Sequence, residues 1–207
     1  MLNREFLKRI SILYVEDEPM IRDSMQLIFD KLFKHTVIAT NGQDGFDRFK
    51  FHQERGMLFD VIISDINMPI MNGLEMIEQI RKLDEDIPII LTTAYSDSKY
   101  FLEAIALKVH HYAIKPLEIK ALAHTIQDAT MKYFDKKIIE NKQKENERYL
   151  DIINQTTLVS RTDLSGNITF VNELFSIVSG YTNSELVGAN QRIVRHTDMH
   201  TIFFDDL

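Results

Sequence analysis

The sequence predicts an α/β fold with a five-stranded parallel sheet over residues 1–125. Three observations carry that prediction. Short runs of β-forming residues alternate with segments of helical period. The run Phe59 to Ser64 is apolar enough to be buried on both faces, as an inner strand of a parallel sheet requires. The runs are closed by turn and cap chemistry such as Glu16-Asp17-Glu18-Pro19, Asn41-Gly42 and Asn72-Gly73.

In order, Ile10 to Val15 reads as the first strand. Pro19 suits the first turn of a helix, and Ile21, Met25, Ile28 and Leu32 place one apolar face along Met20 to Phe33. Thr36 to Ala39 is a second strand, followed by a helix containing Phe46 and Phe49. After the third strand, Asn72 and Glu75 have the spacing of a capping box, opening a helix that runs to Leu83. Pro88 to Thr92 is the fourth strand, Asp97 to Leu107 a helix and His111 to Ile114 the fifth strand. Pro116 starts the last helix. Such sheets are covered by helices on both faces and carry their sites at the carboxyl ends of the strands.

Composition narrows the function classes. The chain has 207 residues, 44% hydrophobic and 27% charged, a globular balance. It has no cysteine, which removes disulfides, thiol nucleophiles and Cys-based zinc sites. A net charge of -7 argues against direct DNA or RNA binding. No apolar run approaches the ~18 residues of a membrane span, and the charged start is not a secretory signal. A soluble cytoplasmic protein is the expectation.

At the strand ends stand Glu16 and Asp17 after the first strand, Asp65 after the third, Thr93 after the fourth and Lys115 after the fifth. Carboxylates brought together repel unless a cation joins them. An all-oxygen donor set favours a hard divalent ion, with Mg²⁺ the natural candidate. Asp17 and Asp65 would be direct ligands, with Glu16 reaching through a water. A carboxylate beside such an ion can attack phosphorus, so Asp65 is the expected nucleophile, with Lys115 and Thr93 facing the transferred group. The competing reading is a structural ion pair between buried Asp and Lys.

Residues 1–125 resemble the receiver domain of two-component response regulators, with its CheY-like, flavodoxin-type fold. The stretches that carry the resemblance are Val15-Glu16-Asp17-Glu18, Asp65-Ile-Asn-Met-Pro-Ile-Met-Asn-Gly73, Thr93-Ala94 and Tyr112-Ala-Ile-Lys115-Pro116. The resemblance implies Asp65 as phosphoacceptor, and Asp17, Asp65 and the main-chain carbonyl of Asn67 as Mg²⁺ ligands. It implies Lys115 as the cation paired with the phosphate, Thr93 as the switch hydroxyl, Tyr112 as the switch aromatic and a cis bond before Pro116. Phosphate would come from a histidine kinase or phosphotransfer protein, and the chain would be a signalling acceptor rather than an enzyme. A phosphatase of the haloacid-dehalogenase type is the weaker rival, because its nucleophile follows the first strand. Lys108-Val109 departs from the Gly-Ala common before the last strand of receivers.

Residues 126–152 read as a helical linker. Ile119, Leu122, Ile126, Ala129 and Tyr133 recur three and four apart, a coiled-coil or docking seam that loses its heptad at Lys136, Glu140, Gln143 and Glu147. A homodimer through this helix is the favoured expectation over a solvated single helix with pairs such as Lys136–Glu140. Residues 153–207 predict a hairpin turning at Ser165-Gly166-Asn167, a helix from Glu173 and a capping box at Thr182 and Glu185. Through Thr162-Asp-Leu-Ser-Gly166, Phe170-Val-Asn172, Ser179-Gly-Tyr181 and Ile193 to Met199, this segment is similar to the first half of a PAS domain of the aerotaxis-sensor type. A half domain suggests that the natural protein is longer. It could then be the amino-terminal part of a sensor histidine kinase or a cyclic-dinucleotide enzyme. Some relatives bind flavin or haem in a pocket closed by the strands missing here, so no cofactor is assigned to this segment, and His196, Asp198 and His200 read as a surface loop rather than a metal site.

Overall fold

The structure is a computed structural model and describes residues 2–93 and 100–194. Two compact units, Met1–Lys137 and Ile138–Leu207, divide the chain. In the first, the elements run α1 (Arg4–Leu7), β1 (Ser11–Val15), α2 (Pro19–Leu32), β2 (His35–Ala39), α3 (Gly42–Glu54), β3 (Val61–Asp65), α4 (Gly73–Arg81), β4 (Ile89–Thr93), α5 (Phe101–Ala106) and β5 (His111–Ile114). Helix α6 (Ile119–Thr156) starts in this unit and ends in the second.

All four strand pairings are parallel, in the order β2-β1-β3-β4-β5. The chain leaves β1 first to one side and then to the other, so the order reverses between β1 and β3. That is where an open α/β sheet leaves a crevice at its carboxyl edge. Strands β3 and β4 are buried along their whole length, as the unbroken apolar run at Phe59 to Ser64 predicts. One layer packs Leu13, Val15, Ile62, Leu91 and the apolar faces of α3 and α4. The other packs Ile12, Tyr14, Ile63, Ile90, α2 and the start of α6.

Three features differ from the sequence reading. Helix α1 is unforeseen: Asn3 caps it by accepting from the Phe6 N–H, Leu7 is fully buried, and Phe6 meets Phe134 edge-on at 6.0 Å. Helix α6 begins at Ile119 rather than at Pro116, and the Glu118 carbonyl accepts from the Leu122 N–H. Pro116 instead follows a cis peptide bond in the loop. Finally, the seam predicted along the linker is docking in its first half. Leu122, Ile126 and Ala129 are buried, the first two in the core layer beneath the sheet. The expected helix start at Asp97 lies outside the described residues.

The departure at Lys108-Val109 has a local explanation. Lys108 takes the left-handed conformation (φ 54°) that glycine adopts at least cost, and Arg81 holds the turn in place. The guanidinium donates to the carbonyls of Leu107 (2.9 Å), Ile87 (2.9 Å), Lys108 (3.2 Å) and Asp84 (3.3 Å). Beside this clamp, the Ile89 N–H donates to His110 Nδ1 at 3.3 Å. Burial pushes the His110 imidazole below the usual histidine value; Arg81, Lys132 and Lys136 act in the same direction and Asp86 against them.

In the second unit, β6 (Ser160–Thr162) and β7 (Ile168–Val171) form the expected antiparallel hairpin, followed by α7 (Glu173–Ser179), α8 (Asn183–Leu186) and a 3-10 turn at Gln191–Val194. Asp163 accepts from the N–H groups of Ser165 and Asn167, which closes the turn around Gly166 at φ 79°. The capping box at Thr182 and Glu185 forms as predicted. Ile168, Val171 and Leu186 make a small core with Phe175 against it. Asn172, 3% exposed, joins four backbone groups. It accepts from Val159 and Phe175 and donates to the carbonyls of Asn154 and Thr157.

Ile70 is β-branched, 82% exposed and held at φ 72°, a conformation costing about 1–2 kcal/mol for such a residue. Ile70→Asn, which tolerates that region, should raise the denaturant midpoint by the equivalent of about 1 kcal/mol; a lower midpoint would contradict the strain. A histidine held below its unfolded value of 6.5 favours folding when neutral, so stability is lost as pH falls below 6.5. Melting curves at pH 7.5 and 5.5 should show a smaller acid loss for His110→Asn than for the wild type.

Candidate functional site

The crevice is assembled by strand ends. Glu16 and Asp17 directly follow β1, Asp65 is the last residue of β3, Thr93 the last of β4, and Lys115 directly follows β5. Glu16 is fully buried, Asp65 is 7% and Thr93 8% exposed, and Asp17 is half-buried at the rim. One carboxylate oxygen from each of Glu16, Asp17 and Asp65 lies within 4.8 Å of the others. Lys115 Nζ reaches between two of them, 2.6 Å from Asp65 Oδ2 and 2.9 Å from Glu16 Oε1. The structural ion pair considered from sequence is therefore present, as one part of a larger cluster.

The second oxygens of Glu16 and Asp65, and the loop that carries the acids, are held by groups the sequence reading did not single out. The Tyr14 hydroxyl donates to Glu16 Oε2 at 3.1 Å. Tyr14 and Glu16 lie two apart along an extended segment and share a face, so the period-two pattern could have paired them. Arg22, in the first turns of α2, donates to the main-chain carbonyls of Glu16 and Asp17, both at 3.1 Å, and fixes the loop that carries them. The Ile66 N–H donates to Asp65 Oδ1 at 2.7 Å, leaving Oδ2 to face Lys115. Gly73, at the start of α4, lies against the Asp65 carbonyl so closely that a Cβ would collide with it. Only glycine lets the β3–α4 loop close over the site.

Burial pushes the Glu16 carboxyl above the usual glutamate value, with the Lys115 and Tyr14 hydrogen bonds opposing. For Lys115, burial alone would lower the ammonium. The hydrogen bonds and charges of Asp65 and Glu16 outweigh it and raise the group above the ordinary lysine value. A raised lysine stabilises the fold below its unfolded value and loses that contribution as pH climbs through the raised one. Burial beside the Glu16 charge likewise raises Tyr14, keeping its hydroxyl a donor.

Three carboxylate oxygens so close together, with no nitrogen or sulfur donor among them, suit a hard divalent cation. Asn67 lies in the exposed loop after β3, where its carbonyl is the candidate fourth oxygen. Tyr112, on β5, donates its hydroxyl to the Tyr100 carbonyl at 3.2 Å. It packs against the core layer that contains Leu91 and Ala104. Ala94, next to Thr93 in the motif, lies outside the described residues, as do His196, Asp198 and His200.

Comparison with known proteins agrees with this geometry. Residues 12–127 match the family model described as the response regulator receiver domain. The chain is 32% identical over 115 residues to a probable C4-dicarboxylate response regulator, DctR, of Halalkalibacterium halodurans, covering 55% of this chain and 48% of that protein. The first curated relatives are matched over about half of their length or less. Among solved structures, the N-terminal domain of an uncharacterized protein from Wolinella succinogenes is 35% identical with a TM-score of 0.55, covering 61% of this chain and 98% of that one. An adenylate cyclase from Rhodopirellula baltica shares the fold at 21% identity and a TM-score of 0.59, over 66% of this chain and 98% of that one.

The acidic cluster makes a metal-dependent prediction. Mg²⁺ should raise the melting temperature of the wild type, by the equivalent of about 2.7 kcal/mol at a hundredfold excess over Kd. Asp17→Asn, at the rim and outside the Lys115 bridge, should fold normally and lose most of that shift. An equal shift in both proteins would remove Asp17 from the ligand set.

Proposed function

Because the chain belongs to the response regulator receiver family, we propose that it accepts a phosphoryl group on Asp65 from a histidine kinase or phosphotransfer protein. The observation that carries this reading is the Lys115 bridge, which places a fixed positive charge on the one Asp65 oxygen not held by the backbone. In the transfer, Asp65 Oδ2 forms the new bond to phosphorus as the bond to the donor's imidazole nitrogen breaks, and its electron pair returns to the ring. The Ile66 N–H holds Oδ1 and fixes the orientation of the carboxylate. Lys115 follows the negative charge onto the phosphoryl oxygens while Glu16 retains the other side of the ammonium. Glu16, Asp17, Asp65 and the Asn67 carbonyl are the groups that would hold Mg²⁺, which when bound neutralises charge on the transferring group.

Thr93 is read as the hydroxyl that senses the phosphate and Tyr112 as the aromatic whose position follows it. Thr93 ends β4, the strand beside the acceptor's β3, and Tyr112 stands on β5, one strand further out. The chain acts as a signalling acceptor, with chemistry limited to its own phosphorylation and hydrolysis. Its phosphorylation state passes along α6 to a PAS-like segment at residues 153–207, supported by the hairpin, the Asn172 junction and the capped α8. A homodimer through α6 is part of the same reading, as are a cytoplasmic location and the absence of direct DNA contact. Among the described residues no helix is long and apolar enough to cross a membrane. A second reading makes this receiver the regulatory head of a longer sensor kinase or cyclic-dinucleotide enzyme. The Rhodopirellula neighbour, named as an adenylate cyclase, shares the fold and fits an enzymatic output, though one whose product is a cyclic mononucleotide.

Incubation with acetyl phosphate and Mg²⁺ should add the mass of one phosphoryl group to the wild type and none to Asp65→Asn. Labelling that survives the substitution would place the acceptor elsewhere.

A further inference from the structure

The carboxyl-terminal half of α6 carries a second stripe, which keeps Gln143 and Leu150 from the first register but takes Ile139 and Asn146 where that register reads Glu140 and Glu147. Ile139, Gln143, Asn146, Leu150 and Ile153 recur at spacings of four, three, four and three. Its apolar members are exposed: Ile139 56%, Leu150 58% and Ile153 43%. Every residue from Asn141 to Thr156 is exposed. A helix of this length with no packed face is marginal in water, because most helical stability in proteins comes from burial of one side. The first half meets that need on its own sheet through Leu122 and Ile126; the second half has no such surface among the described residues.

We propose that a second copy of this chain covers the stripe, in a parallel, in-register pair of α6 helices seated on Ile139, Gln143, Asn146, Leu150 and Ile153. This rests on the homodimer reading above and is independent of the phosphorylation reading. Charge selects the occupant and its direction. In this register Lys142 and Glu147 occupy the flanking positions that meet across a parallel pair, so each helix places Lys142 against the other's Glu147, twice by symmetry. The antiparallel alternative that also matches apolar with apolar sets Ile139 against Leu150 and Gln143 against Asn146, and it brings Glu140 against Glu147. Among the described residues, neither Lys142 nor Glu147 has a side-chain hydrogen bond or ion pair. Upstream, the register opposes Asp135 to Glu140, which limits the pairing to the stretch after Ile138. Gln143 and Asn146 put amides in the middle of the seam, a device that sets register and lowers affinity. A stripe of about two heptads with a polar centre therefore makes a weak, concentration-dependent dimer.

The absence of cysteine makes the test direct. Ile139→Cys, Asn146→Cys and Ile153→Cys, with Lys144→Cys as an off-seam control, are oxidised in the full chain with copper-phenanthroline. Alongside, sedimentation equilibrium compares the wild type, Lys142→Glu and the exchange Lys142→Glu/Glu147→Lys. Disulfide dimers at all three seam positions but not at 144 are expected. Dimerisation should weaken roughly three- to tenfold in Lys142→Glu, the scale of two exposed ion pairs, and recover in the exchange. Crosslinking at only some of the three seam positions would mean helices out of this parallel register and overturn the proposal. A wild-type dimer that neither crosslinks in the seam nor responds to Lys142→Glu would overturn the seam and leave the homodimer reading standing. A monomer at every concentration would remove both.

Discussion

Three carboxylates held within one small volume need a positive charge, and Lys115 meets that need in this fold. Removed from water, carboxylates this close repel one another, and the ammonium set between Glu16 and Asp65 donates to both. The demand reaches into the sheet. Lys115 must leave β5 at the height of Asp65, and the β5–α6 loop must turn at once, which it does at Pro116. Glu16 needs a second donor, so the β1 position two residues earlier is tyrosine rather than another aliphatic residue. Arg22 then draws the start of α2 onto the acid-bearing loop. The strand order that puts β1 between β2 and β3 is the frame on which these needs can be met together.

Much of this was legible in the sequence because it depends on local rules. Strands came from β-rich runs, the α4 start from the Asn72–Glu75 box, and the gathering of Glu16, Asp17, Asp65, Thr93 and Lys115 from the tendency of parallel sheets to place sites at carboxyl ends. What escaped depends on contacts between distant residues. Helix α1 spans only Arg4–Leu7, too short for a periodic signal, and exists because Leu7 and Phe6 find α2 and α6 beneath them. Tyr14 is the exception, a partner only two residues from Glu16 that the period-two pattern already allows. The substitution at Lys108 raised a question that Arg81 answers from 27 residues away, by bonding backbone rather than side chain.

The linker shows why periodicity alone cannot assign a surface. Spacings of three and four predict that a face is covered, not what covers it. Along Ile119 to Ile126 the cover is the chain's own core layer, while the exposed stripe beyond Ile138 shares only Gln143 and Leu150 with that register. One uninterrupted helix thus carries two apolar faces with separate obligations. In the second unit, Asn172 does for backbone what Lys115 does for charge, joining a helix end, a strand and a helix start through one side chain.

The two Asn-Gly pairs also bear on how the protein ages. Such pairs are the usual sites of spontaneous deamidation, in which the glycine nitrogen attacks the asparagine amide to close a succinimide ring. Here each glycine nitrogen is engaged, Gly42 with the Met71 carbonyl and Gly73 with that of Ile66. Each asparagine side chain is held as a helix cap, by the N–H groups of Asp44 and Glu75. The caps that frame the acidic crevice therefore also shield it from slow chemical damage: so long as the chain stays folded, ring closure at either pair requires a local opening first.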